Sequence, residues 1–246
     1  MHESKMIYIY ADTGVGRDSL IHTMHTFGKI FGKNALKTIR AKEIIHGTWR
    51  SNARLLIMPG GADLPYGNKL NGTGNQVIKE YVAFGGAYLG ICAGSYYGSQ
   101  FVEFDKGGPL EVVGQRELAF FQGKAIGPMF APFDYNNYWG ARAAKVSTIC
   151  GDLTLFYNGG GFFENAKKLP GVSIIAQYKM EAENLPAIIH IPYGKGNVVL
   201  SSPHFEFCQD LLDPDDVHLA KIIPALQNDE LLRQNLCLKI MELLGL

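Results

Sequence analysis

Three short apolar runs constrain this chain more than any other feature: MIYIYA at residues 6–11, ARLLIM at 53–58 and AYLGIC at 87–92. Each is six residues long and is cut off by a turn-forming stretch, DTGVG, PGG and AGS respectively. Runs that short, and so largely apolar, suit strands buried on both faces. Helical stripes lie between them. In RDSLIHTMHTFGKIFG, the residues Leu20, Met24, Phe27 and Phe31 recur at spacings of three and four. In NQVIKEYVAFGG, Val77, Tyr81 and Phe84 do the same ahead of a glycine stop. AGSYYGSQF predicts a further helix after the third strand. Strand and helix alternating with short joins imply an α/β fold, a mostly parallel, flavodoxin-like sheet flanked by helices.

The pattern changes after residue 101. Residues 102–140 are rich in glycine, proline and aromatics and carry no long helical stripe, so they read as an inserted aromatic-rich β/loop segment. Beyond it, PAIIHIPYGKGNVVLSS predicts a hairpin, and DELLRQNLCLKIMELLGL an amphipathic helix. No repeat, linker or low-complexity tract divides the chain, and residues 1–246 read as one domain. Lysine plus arginine equals aspartate plus glutamate, 23 each, without a charge run, so no nucleic-acid or anionic-membrane footprint is present. No stretch approaches the ~18 apolar residues of a membrane span, and the N-terminus lacks a secretory pattern. A cytoplasmic location is expected. The four cysteines, Cys92, Cys150, Cys208 and Cys237, show no CxxC spacing, so neither a disulfide framework nor a zinc ribbon is indicated. His22 and His25 have no carboxylate or cysteine beside them to complete a metal site. Neither a metal nor an organic cofactor is expected.

Chemistry gathers at the strand ends. In GGAYLGICAGSYYG, Cys92 stands between Gly90 and Gly94, after an apolar strand and before a helix. That is the G-x-nucleophile-x-G elbow with cysteine in place of serine. A thiol nucleophile needs a base, and the base an orienting group. His204 and Glu206, in SSPHFEF, follow an apolar strand, and in extended chain residues two apart face the same side. Gly60 and Gly61 follow the second run. Backbone N–H groups there, with that of Ala93, form a candidate oxyanion hole.

Other features are less specific. DTGVGRDS follows a strand and opens a helix but lacks the third glycine and lysine of the phosphate-binding motifs, and reads as a turn with an N-cap beside the pocket. NGGG at 158–161 is a turn or an anion nest, with Tyr157 and Asn158 as candidate substrate contacts. Tyr135, Tyr138 and Trp139 are candidates to roof a pocket.

PGG after a strand, G-x-C-x-G at an elbow and a late H-x-E resemble the class I glutamine amidotransferase-like fold. More narrowly, YADTGVGRDSLIHTMHTF, MPGGADLPYG, GGAYLGICAGSYYG, GQRELAFFQG, YNGGGFF and GKGNVVLSSPHFEF resemble, in that order, the N-terminal domain of eukaryotic biotin–protein ligases and its stand-alone bacterial relatives. The resemblance spans roughly residues 6–208 and implies catalytic roles for Cys92, His204 and Glu206. Glutamine amidotransferases usually carry a glutamine four residues after the nucleophile; here Tyr96 takes that place and becomes a candidate substrate contact. The expected substrate is therefore a small-molecule amide or peptide-like compound with a larger or more apolar body than glutamine. No segment resembles a biotin ligase catalytic domain, so biotin transfer is not expected of this chain. Two readings follow: a cysteine-dependent amide hydrolase, or a non-catalytic accessory or regulatory module that serves a partner protein.

Overall fold

A computed structural model describes residues 5–246. The first half alternates strand and helix: β1 (Met6–Tyr10), α1 (Arg17–Phe31), β2 (Leu36–Ile39), α2 (Ala41–His46), β3 (Ala53–Met58), α3 (Asp63–Leu70), α4 (Thr73–Ala83), β4 (Ala87–Ile91) and α5 (Ala93–Gly98). Strands then follow one another before the α-helices resume: β5 (Ser99–Phe104), β6 (Val112–Gln115), β7 (Phe121–Gly127), β8 (Arg142–Thr148), β9 (Gly151–Tyr157) and the short β10 (Phe162–Phe163). Last are β11 (Ser173–Tyr178), β12 (Leu185–Tyr193), β13 (Gly196–Ser201), α6 (Ile223–Asn228) and α7 (Glu230–Leu243).

Nine strands form one sheet in the order β2-β1-β3-β4-β13-β12-β11-β8-β9. From β2 to β13 every pairing is parallel; from β13 to β9 every pairing is antiparallel. β1, β3 and β4 are largely apolar on both faces because both are covered, while the edge strand β2 exposes Lys37 and Thr38. Ile7, Ile9, Leu55, Ile57 and Leu89 join the core beneath α1 and α7, while Tyr8, Tyr10, Leu56, Met58 and Tyr88 join the core beneath α2–α5. A second sheet, β10-β7-β5-β6, packs Val102, Phe104, Phe121 and Phe163 into the latter core. It takes up the strands of the aromatic-rich segment. Among the described residues, no helix is long and apolar enough to cross a membrane.

Three sequence expectations differ locally. The buried face of α1 carries Ser19, His22, Thr23, Thr26 and Phe27, with Leu20, Met24 and Phe31 only partly buried at its flank. The apolar stripe is thus displaced to one side by a polar one. Phe84 lies past the end of α4 and is 80% exposed, while Val77 and Tyr81 are buried. The helix read from AGSYYGSQF stops at Gly98, where the chain enters β5.

Candidate active site

The parallel strands point their C-terminal ends to one edge, the side on which open α/β sheets bind ligands. Cys92 is the cap residue of α5, with φ 49° and ψ −105°, a backbone region that non-glycine residues seldom adopt. Hydrogen bonds hold it there. Its N–H donates to the Ser201 carbonyl at the end of β13 (2.7 Å), and its carbonyl accepts from the Ser95 N–H (2.9 Å) and hydroxyl (2.8 Å). The flanking glycine is obligatory, since a Cβ on Gly94 would lie 2.0 Å from the Met58 carbonyl oxygen.

His204 and Glu206 arrive three and five residues after β13, the strand hydrogen-bonded to β4. The His204 N–H donates to the Phe156 carbonyl (2.8 Å). Its Nδ1 stands 2.8 Å from Glu206 Oε1, and both side chains are buried. The Cβ that Gly60 lacks marks the meeting point of the site: it would lie 2.7 Å from His204 Cε1, 3.0 Å from Ser19 Oγ and 3.4 Å from Cys92 Cβ. Burial alone would depress the imidazole pKa. The Glu206 carboxylate and Cys92 outweigh it and lift the value to about 10. Cys92, His204 and Glu206, far apart in the chain, are thus brought to one point.

The backbone donors divide. Gly60 N–H is already taken by Ser19 Oγ at 2.8 Å, so Gly60 leaves the candidate oxyanion hole; its role is the close approach of chain to imidazole. Gly61 and Ala93 N–H have no protein acceptor among the described residues, and both residues border the cavity in front of Cys92.

That cavity holds about 300 Å³. Tyr96, Phe104, Phe133 and Tyr135 form one wall of edge-to-face and tilted rings with centroids 4.8–6.4 Å apart. Tyr96 donates its hydroxyl to the Gly159 carbonyl (3.2 Å). Asn158 faces the cavity with Oδ1 unpartnered among the described residues, and its carbonyl lies 3.8 Å from Cys92 Sγ. Tyr157 does not reach the cavity. It is fully buried, with its hydroxyl bonded to Phe130 N and O and to Gly160 O. It clamps the turn that carries Asn158. The NGGG segment is packed as a turn: its carbonyls accept from Met129 N–H and the Tyr96 hydroxyl, and Gly161 N–H donates to Ser202 Oγ. Tyr138 latches the roof to α1 through a hydrogen bond to Asp18. Trp139 is 59% exposed and does not border the cavity.

Several contributors were not read from the sequence. Asp63, on the cavity wall, pairs with Arg116 at 2.6 Å, both side chains nearly buried. The signal was available, because these residues lie in MPGGADLPYG and GQRELAFFQG. In DTGVGRDS, Asp12 turns away from the cavity to bond Thr13 N–H and Ala41 N–H, and the cap of α1 is Gly16, without a side-chain bond. His22 is buried against Phe207, ring on ring at 3.8 Å, and its Nδ1 accepts the Cys208 N–H. Burial, reinforced by the neighbouring His204, depresses it to about 3. No group of three potential metal ligands gathers among the described residues.

Over residues 5–246 the chain matches the family described as biotin-protein ligase, N terminal. It is 34% identical over 251 residues to the biotin–protein ligase of Schizosaccharomyces pombe, covering 98% of this chain and 38% of that enzyme's length. It is 37% identical over 207 residues to an uncharacterized protein of Chlamydia muridarum, covering 82% and 80% of the two chains. Among solved structures it resembles a GMP synthase-type protein from Thermoplasma acidophilum, with TM-score 0.52, 14% identity and 98% of both chains covered. It also resembles a ThuA-like protein from Bacteroides uniformis, with TM-score 0.50, 10% identity, and 90% and 89% covered. At such identities these two structures show the fold alone, that of the class I glutamine amidotransferases.

Proposed function

The chain belongs to the biotin–protein ligase N-terminal family, and from that premise we propose that it is a cysteine-dependent amide hydrolase with Cys92, His204 and Glu206 as its triad. The observation that carries this reading is the buried His204–Glu206 pair, 2.8 Å apart, set against a cysteine at a strained elbow. The Glu206 carboxylate and the adjoining Cys92 raise the imidazole pKa, which leaves His204 with a proton to give to a leaving nitrogen.

The Cys92 thiolate attacks the amide carbonyl carbon, forming a C–S bond. Gly61 and Ala93 N–H receive the oxyanion. His204 gives its proton to the nitrogen, the C–N bond breaks and the amine leaves. Water then loses a proton to His204 as its oxygen attacks the thioester. The C–S bond breaks, the carboxylic acid departs, and the ion pair is restored. Glu206 holds the Nδ1 proton throughout, fixing the tautomer.

Tyr96 and the aromatic wall support an amide with a flat or apolar body over free glutamine. We read the chain as a single domain working in the cytoplasm, where a free thiol persists. The alternative, a non-catalytic module serving a partner protein, draws on the closure of the site: Cys92 and His204 are 6% and 5% exposed.

The test is ammonia release from glutamine and from a panel of bulkier primary amides, with Cys92→Ala as the blank. Turnover of a bulky amide that disappears in Cys92→Ala is expected. Efficient glutamine turnover would overturn the substrate class. Silence across the panel, with the relative's ligase region supplied as partner, would favour the module.

A further inference from the structure

We propose that Ser19 is a positioning residue: it ties the glycine turn at Gly60 to the carboxylate of Glu206 and so seats the His204 ring against Cys92. The inference rests on the thiol reading above and deepens it.

It begins with the polar stripe on α1. Ser19, His22, Thr23 and Thr26 are all buried where an ordinary packing face would be apolar. Three of the four bond the segment that carries the base and the acid. Ser19 Oγ reaches Glu206 Oε1 (3.5 Å), Thr26 Oγ1 donates to the Glu206 carbonyl (2.6 Å), and His22 Nδ1 accepts the Cys208 N–H (3.0 Å). From the opposite side Arg233 of α7 donates to the Phe205 carbonyl (2.8 Å). Helix α1 therefore grips residues 206–208 through polar bonds of fixed geometry, which apolar contact would not supply.

Within this grip Ser19 is singular. Its oxygen accepts the Gly60 N–H at 2.8 Å, which leaves its own proton directed to Glu206 Oε1. That same carboxylate oxygen accepts His204 Nδ1 at 2.8 Å. The other, Oε2, has no partner among the described residues. The carboxylate is thus oriented through one oxygen, closely by His204 and at longer reach by Ser19. Gly60 in turn abuts His204 Cε1. One hydroxyl so fixes two sides of the cage around the imidazole. The titratable and charged groups around the His204–Glu206 pair are Cys92, His22 and Cys237 of α7, with Arg233 beyond Phe205 and paired to Glu230. Ser19 is the hydroxyl that joins the carboxylate to the turn.

The test compares Ser19→Thr with Ser19→Val, an isosteric pair that differs only in the hydroxyl. Thr23→Val is the control, since Thr23 Oγ1 is buried with no partner among the described residues. Alkylation of Cys92 by iodoacetamide, followed by peptide mass spectrometry from pH 5 to 9, reads the thiolate–imidazolium pair without a substrate. Hydrogen exchange at the Gly60 amide reads the turn. Relative to Ser19→Thr, Ser19→Val should slow alkylation at pH 6 by about tenfold, move the profile to higher pH and speed exchange at Gly60. Thr23→Val should match the wild type. A Ser19→Val profile that superimposes on that of Ser19→Thr, or a Thr23→Val profile that moves as far, would overturn the role of Ser19 alone. A wild-type Cys92 unreactive at pH 6 would overturn the thiol reading itself, and the role of Ser19 within it.

Discussion

A methyl group on Gly94 would stand 2.0 Å from the carbonyl oxygen of Met58. Backbone meets backbone there, so nothing flexible can yield. Gly94→Ala should cost about 3 kcal/mol or more in denaturant unfolding. Gly28→Ala is the contrast. Gly28 lies inside α1, where its added Cβ meets only Lys33 Cγ at 3.6 Å, and the change should stabilise by about 0.5–1 kcal/mol. Equal melting behaviour of the two variants would contradict the packing described at the elbow.

The two buried histidines should give stability opposite pH dependences. His204 has its folded pKa raised, to about 10. Its contribution is complete below the unfolded value of about 6.5 and is lost as pH rises through the folded one. The gap in melting temperature between wild type and His204→Gln should therefore be wider at pH 6 than at pH 10.5. His22 has its folded pKa depressed, to about 3. Its contribution is present above about 6.5 and erodes as pH falls toward the folded value. His22→Gln, which keeps an acceptor for Cys208 N–H, should lose less stability than wild type between pH 6.5 and 4.

Thiol labelling should discriminate sharply. Burial pushes Cys150 and Cys208 above the ordinary thiol value and Cys237 up to about 12. Cys92 alone adjoins the His204 imidazole. At pH 6 iodoacetamide should modify Cys92 first, and His204→Ala should abolish the preference. Labelling of Cys150 ahead of Cys92 in the wild type would count against an activated thiol.

Tyr157 and Asn158 are neighbours in sequence with different tasks. Tyr157→Phe removes a buried hydroxyl bonded to Phe130 and Gly160 and should cost about 1–2 kcal/mol of stability. Asn158 Oδ1 bonds nothing among the described residues. Asn158→Leu should leave stability within about 0.5 kcal/mol and change which amides are hydrolysed. Thermal melts with the amide panel separate the two.

The catalytic candidates were legible because their chemistry is written in local spacing: a cysteine between two glycines after an apolar run, and a histidine two residues before a glutamate after another. Strand ends gather on one sheet edge, so such local patterns predict a shared site. What local spacing does not carry is the partner of each group. Gly60 resembles Gly61 in sequence, yet one N–H is occupied by Ser19 and the other is not. The polar face of α1 was hidden for the same reason. Leu20, Met24, Phe27 and Phe31 form a sound apolar stripe, and only the arrival of residues 206–208 shows why Ser19, His22 and Thr26 lie inside. Tyr157 reads as a ligand contact beside Asn158, and its burial rests on Phe130 and Tyr178, each some twenty residues or more away in the chain.

The bond from Cys92 N–H to the Ser201 carbonyl has a consequence in time. β4 and β13 are adjacent in the sheet but more than a hundred residues apart in the chain, and pairings of such long range are late events in folding. Until β13 docks, nothing from that strand braces the cysteine in its rare conformation, and no imidazole stands beside the sulfur. During synthesis Cys92 emerges long before His204 does. In the triad proposed above, a nascent or half-folded chain would carry Cys92 without its neighbours, and the site would be assembled only when the central strand is inserted.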